Sequence, residues 1–200
     1  MRKLIKPLVF CLCLSPFGIL IFNALTGRLS ANPIKDITHF TGDWTLYFLL
    51  ITLAVTPLRR LTGWTPVMRY RRMLGLFAFF YACLHFLTYL VLDQFFDWHT
   101  IAGDVMKRPY ITVGFTAFLL LIPLAVTSTA RMKQKLGPRW RRLHRLVYVI
   151  GGLGILHYLW LVKADIRPPV IFGAVFIALL ILRLPGVRMQ QNRPMMRSPS

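Results

Sequence analysis

The chain has 200 residues, 56% of them hydrophobic and only 16% charged, with a formal charge of +19. Several long apolar runs at that composition exclude a soluble domain and mark an integral membrane protein. The basic excess alone would suit nucleic acid, because clustered Lys and Arg neutralise phosphates, but the placement of the charges excludes that partner.

All the acids are Asp, and they fall in three segments: Asp36 and Asp43; Asp93, Asp97 and Asp104; and Asp165. The segments between them carry Arg and Lys with no acid. Such alternation follows from the positive-inside rule, since basic loops stay in the cytoplasm. The surplus cations therefore set topology and can also meet anionic lipid. Cys11, Cys13 and Cys83 lie in apolar runs with no CxxC. Their odd number argues against a disulfide framework, and each reads as a small buried hydrophobe.

Arg2, Lys3 and Lys6 precede the apolar run Leu8–Leu25, which is long for a signal peptide and reads as a retained first span kinked at Pro16. Asn32-Pro33 starts a short helix, Pro being suited to the first helical position. Gly42 is expected to end it, leaving it on the outer surface with His39. That histidine is either solvated or capping, or stands near a cofactor or partner. Trp44–Leu58 is the second span and returns to Arg59 and Arg60. After a basic loop, the third span, Met73–Leu92, runs outward with Tyr81, His85 and Tyr89. The outer loop Asp93–Pro109 holds His99, read as solvated. Tyr110–Ser128 is the fourth span, with a kink expected at Pro123.

Trp140–Lys163 reads as one apolar helix, the fifth span, with His144 at its basic entrance and His157 well inside. Gly151, Gly152 and Gly154 lie between them and would let something flat approach the backbone. Val170–Leu184 is a short sixth span, and the basic tail 185–200 is expected to be disordered in the cytoplasm. The expected fold is thus all-α: a six-transmembrane-helix bundle over residues 1–184, both termini cytoplasmic. The five tryptophans fall near the predicted interfaces, as an aromatic belt would. No internal repeat is evident.

An imidazole deep in hydrocarbon is costly and usually functional. At about 1.5 Å per residue, His85 lies roughly 20 Å from the inner edge of its span and His157 roughly 22 Å from the edge of its own. Two neutral imidazoles at one depth on facing helices can supply both axial ligands of a b-type haem. His144, near the inner edge, has no histidine opposite it on the third span. A surface role, ligation with an unidentified partner, a bond to flavin or quinone, and acceptance of a quinol proton all stay open for it. The spans contain no acid on these boundaries, which counts against an ion-coupled transporter.

Four stretches together resemble one family: NPIKDITHFTGDWTLYFLLITLAVTPLRR, YRRMLGLFAFFYACLHFLTYL, KRPYITVGF and LAVTSTARMKQKLGPRWRRLHRLVYVIGGLGILHYLWLVK. It is the haem-binding membrane subunit of the bacterial periplasmic protein-methionine-sulfoxide reductase system (MsrQ), within the ferric-reductase-like superfamily. The resemblance covers roughly residues 30–165. It implies haem b bound through His85, His144 and His157, with iron ligation by His85 and His157, and an associated FMN that maps onto no residue here. It also implies a bacterial inner-membrane subunit that carries electrons without being the catalytic subunit. The donor would be the quinol pool or a cytoplasmic flavin reductase. The acceptor would be a periplasmic molybdopterin-containing methionine-sulfoxide reductase that repairs oxidised proteins. The alternatives are a metal reductase of the same superfamily and a haem-free membrane scaffold or permease.

Overall fold

The computed structural model describes residues 2–184, and every regular element in that range is helical. In chain order these are α1 (Arg2–Leu25), α2 (Pro33–Thr62), a 3-10 turn (Thr65–Arg69), α3 (Arg71–Leu87), a π-helical turn (Thr88–Asp93), α4 (Trp98–Lys107), α5 (Pro109–Val126), α6 (Ala130–Leu136), α7 (Pro138–Leu143), α8 (Leu146–Leu161) and α9 (Arg167–Ile181). The tail 185–200, expected to be disordered, lies outside the described residues.

Four helical stretches are long and apolar enough to cross a membrane: Ile5–Leu25, Pro33–Thr62, Arg71–Asp93 and Pro109–Val126. Helices α8 and α9, of 16 and 15 residues, span only about 24 Å at the helical rise, short of a hydrocarbon core of about 30 Å. The tightest pairings are α2 with α3 and α5 with α8, and contacts of α3 with α5 and of α2 with α8 close these into a four-helix core. Helix α1 packs on α2 and α3, and α9 packs on α2 and α8.

Two expected boundaries are corrected. The separate surface helix ending at Gly42 does not exist, because α2 runs unbroken from Pro33 to Thr62. Its start is as expected, Asn32 accepting from the Lys35 N–H. Its stop lies instead at Gly63, in the left-handed conformation (φ 69°), whose N–H bonds the Arg59 carbonyl. An interior glycine costs a helix only about 1 kcal/mol, which packing against α3 outweighs. The stretch Trp140–Lys163, in turn, is not one helix. It breaks at His144 and Arg145, where Arg145 and Tyr148 each bond a carbonyl three residues back. Trp140 Nε1 donates to the Thr127 carbonyl and holds α7 against the end of α5.

A third correction concerns repetition. Four pairs of positions stand 72 apart: Thr38 and Tyr110, Gly42 and Gly114, Leu84 and Leu156, His85 and His157. The paired helices α2–α3 and α5–α8 are therefore two copies of one hairpin plan, LHFL in the first answering LHYL in the second.

Tyr81 fastens α1 to this core. Its side chain is fully buried, its hydroxyl donates to the Cys13 carbonyl at 3.1 Å, and it accepts from the Phe17 N–H at 3.0 Å. Pro16 supplies no N–H, and the Leu12 carbonyl it would have bonded is taken by the Ser15 hydroxyl. Tyr81→Phe removes both bonds and should therefore destabilise the protein by about 2 kcal/mol, at about 1 kcal/mol for each buried hydrogen bond. A lower melting temperature in detergent checks it.

Candidate functional site

A cavity of about 630 Å³ lies inside the four-helix core. It reaches from Leu49, Leu121 and Ile150 in mid-bundle to Asp93, Trp98 and Arg108 at the end where α4 sits. Its walls are mainly aliphatic and aromatic, with Phe86 stacked on Phe118 at 4.8 Å. Such a lining excludes water and favours a large apolar ligand.

His85 from α3 and His157 from α8 face each other in this cavity, with ring centroids 6.0 Å apart and planes at 82°. Each ring is held by a backbone carbonyl of the neighbouring helix. His85 Nδ1 donates to the Thr38 oxygen at 2.9 Å, and His157 Nδ1 donates to the Tyr110 oxygen at 2.7 Å. A carbonyl can only accept, so both histidines carry the proton on Nδ1 and keep the Nε2 lone pair for a ligand. Carbonyl-oriented imidazoles of this kind are typical metal ligands.

Four residues beyond each of those carbonyls stands a glycine. A Cβ built on Gly42 would lie 3.2 Å from the His85 ring, and one on Gly114 would lie 2.6 Å from His157 Nδ1. Both rings thus rest against bare backbone. Gly154 lines the cavity as expected, but Gly151 makes room for Phe176 and Gly152 faces open space. Of the three glycines expected to give an approach surface, only Gly154 therefore lines the cavity, while Gly42 and Gly114 seat the two imidazoles.

The donor set bears on what would fit. With metal–nitrogen bonds of about 2 Å, a metal held by both imidazoles would need ring centroids about 6 Å apart, and those of His85 and His157 stand 6.0 Å apart. Among the described residues no group of three or more His, Cys, Asp or Glu could hold a bare metal ion. A metal held by these two imidazoles must take its remaining ligands from a bound molecule, as haem iron does from its macrocycle. The residues present fit haem.

The other histidines divide. His39 lines the cavity, half-buried on α2. His99 is exposed on α4, as expected. The expected outer loop holds that helix, capped by Asp97, which accepts from the His99 and Thr100 N–H groups. The Thr100 hydroxyl and these N–H groups hold the Asp97 carboxyl below its usual range. His144 sits in the turn before α8 and does not line the cavity. Its ring stacks on Trp140 at 4.0 Å, and its Nε2 lies 3.1 Å from the Thr127 hydroxyl. That hydroxyl already donates to the Pro123 carbonyl, so Nε2 is the donor and only Nδ1 keeps a lone pair.

Sequence reasoning missed the roles of Gly42, Gly114, Thr38 and Tyr110, although the 72-residue spacing shared with the histidines marks the two glycines. It also left Asp43 outside the spans, whereas Asp43 is inside α2 and lines the cavity. Of the two tyrosines that flank His85, Tyr81 serves α1 and does not line the cavity, while Tyr89 does line it.

The model of the ferric reductase like transmembrane component family matches residues 41–155, which include α3, α5 and most of α8. A protein-methionine-sulfoxide reductase heme-binding subunit MsrQ from Herminiimonas arsenicoxydans is 60% identical over 90% of this chain and 84% of its own length. The MsrQ of Rhodospirillum rubrum is 53% identical over 96% of the chain and 92% of its own. That of Xanthomonas euvesicatoria is 50% identical over 88% and 83%. The chain belongs to the MsrQ family. No solved structure matches it. Membership makes this a multi-pass membrane protein of the ferric-reductase-like class, and the MsrQ match, at 96% of the chain, runs beyond the histidine pair to include most of α1 and α9.

Proposed function

We propose that the chain is the haem b electron-transfer subunit of a methionine-sulfoxide reductase system in the bacterial inner membrane. The observation that carries this reading is the facing pair His85 and His157, each with its Nδ1 spent on a carbonyl and its Nε2 left for iron. A haem bound there would supply one-electron chemistry in a site of low dielectric. The chain's own residues do the rest. The Thr38 and Tyr110 carbonyls fix the tautomers, Gly42 and Gly114 let the rings sit against backbone, and the apolar wall keeps water out.

In this reading α8 and α9 are short fifth and sixth spans, and both termini are cytoplasmic. The acid-bearing end with α4 then faces the periplasm, and the cavity extends to that end. Electrons enter at the basic end, near His144, from the quinol pool or from a cytoplasmic flavin reductase. They leave at the α4 end to a periplasmic molybdopterin-containing methionine-sulfoxide reductase. FMN belongs to the proposal by resemblance alone, with no residue assigned to it.

The family model makes ferric iron the rival acceptor. Mixing the reduced protein with each acceptor in turn separates them. Reoxidation by the periplasmic reductase at least about tenfold faster than by chelated ferric iron is expected, equivalent to about 1.4 kcal/mol in barrier. The reverse order would make the chain a metal reductase.

A further inference from the structure

The cavity's charges are sparse and uneven. Asp43 and Asp93 line it, and among the described residues Arg108 is its single Lys or Arg. Arg108 stands at the joint between α4 and α5, its N–H bonded to the Asp104 carbonyl and its own carbonyl accepting from Ile111. Its Nε donates to Asp104 Oδ1 at 3.1 Å. The Asp104 side chain is only 9% exposed and also accepts from the Tyr89 hydroxyl at 3.2 Å.

A buried carboxylate is costly and persists when a cation and hydrogen bonds compensate it. Asp104 could therefore be read as the group served and Arg108 as its counter-ion. The geometry runs further than that. Asp104 engages the guanidinium through Nε and the Tyr110 hydroxyl stands beside it as well, which still leaves terminal N–H groups for a further acceptor. Arg108 itself is half exposed and lies on the cavity wall, two residues from the carbonyl that holds His157. A cofactor that filled this cavity with carboxylates at its edge would meet one fixed cation there and two acids that repel it.

We propose that Arg108, aimed by Asp104 and Tyr89, is the anchor for a carboxylate at the edge of the bound cofactor. This rests on the haem reading above, since haem b carries two propionates. Arg108 touches the cofactor's rim, whereas Asp104 and Tyr89 are positioning residues.

The test compares two probes on the full chain prepared without haem in detergent: haem, and its dimethyl ester, which keeps iron and macrocycle but has no carboxylate. Titrations followed by the visible spectrum give the two affinities. The wild type should prefer haem about tenfold, the worth of one charge-assisted hydrogen bond at a half-exposed site. In Arg108→Gln the preference should fall to nearly one, while the ester binds as it does to the wild type. The pair variant Asp104→Asn with Arg108→Gln removes both charges together, leaves no orphaned buried carboxylate, and should likewise show no preference. A preference kept in either variant, or absent from the wild type, overturns the proposal. A wild type that binds neither probe overturns the haem reading and this proposal with it.

Discussion

His157→Ala should leave a colourless protein, and His85→Ala should do the same. Each imidazole is held by its own carbonyl, at 2.7 Å and 2.9 Å, so neither can travel to replace the other. Among the described residues no metal-binding cluster offers a substitute, and the nearest further histidine, His39, stands on α2 with its own place in the lining. Losing an outer-sphere partner of a metal-binding histidine already costs 10–100-fold in affinity. Losing the ligand itself should cost more than about 100-fold. The reduced-minus-oxidised b-type spectrum of protein from haem-replete cells reads the result directly. His99→Ala, altering an exposed residue on α4, should leave that spectrum unchanged.

Gly114→Ala should separate folding from cofactor binding. Alanine favours a helix over glycine by about 1 kcal/mol, and without haem the His157 ring can swing into the cavity. The empty protein should then melt no lower than the wild type. With haem the ring must return to a place where the new Cβ lies 2.6 Å from Nδ1 and 2.8 Å from Cε1. It can give way only by abandoning the Tyr110 carbonyl. Affinity should fall about tenfold or more, as for other lost supports of a metal-ligating histidine. At Gly42 the corresponding distance is 3.2 Å, so Gly42→Ala should cost distinctly less. Equal losses at the two sites would mean that this clearance does not decide binding.

Why the histidine pair was legible in the sequence while its supports were not follows from what each contributes. His85 and His157 are polar groups in apolar runs, and a constant rise per residue turns their positions into comparable depths. The groups that orient them are backbone oxygens, which any residue supplies, so Thr38 and Tyr110 carry no identity signal. Gly42 misled because a glycine after a short amphipathic run reads as a helix end. Here it marks the close approach of an imidazole within a longer helix. Trp140–Lys163 misled in the opposite way, since the turn falls in its basic entrance, where no Pro or Gly marks a break and Thr127 fixes it from outside. The 72-residue repeat escaped notice because the two hairpins share few identities beyond Gly42 and Gly114, His85 and His157, and a handful of leucines.

The most direct measurement is the electron paramagnetic resonance spectrum of the oxidised, haem-loaded protein. The ring planes of His85 and His157 cross at 82°, and near-perpendicular axial imidazoles on low-spin ferric haem give a highly anisotropic signal with one dominant low-field feature. That signal is expected in the wild type and should vanish in His85→Ala and in His157→Ala. A high-spin wild-type spectrum, or the same low-spin signal surviving loss of either histidine, would contradict a single iron held between the two.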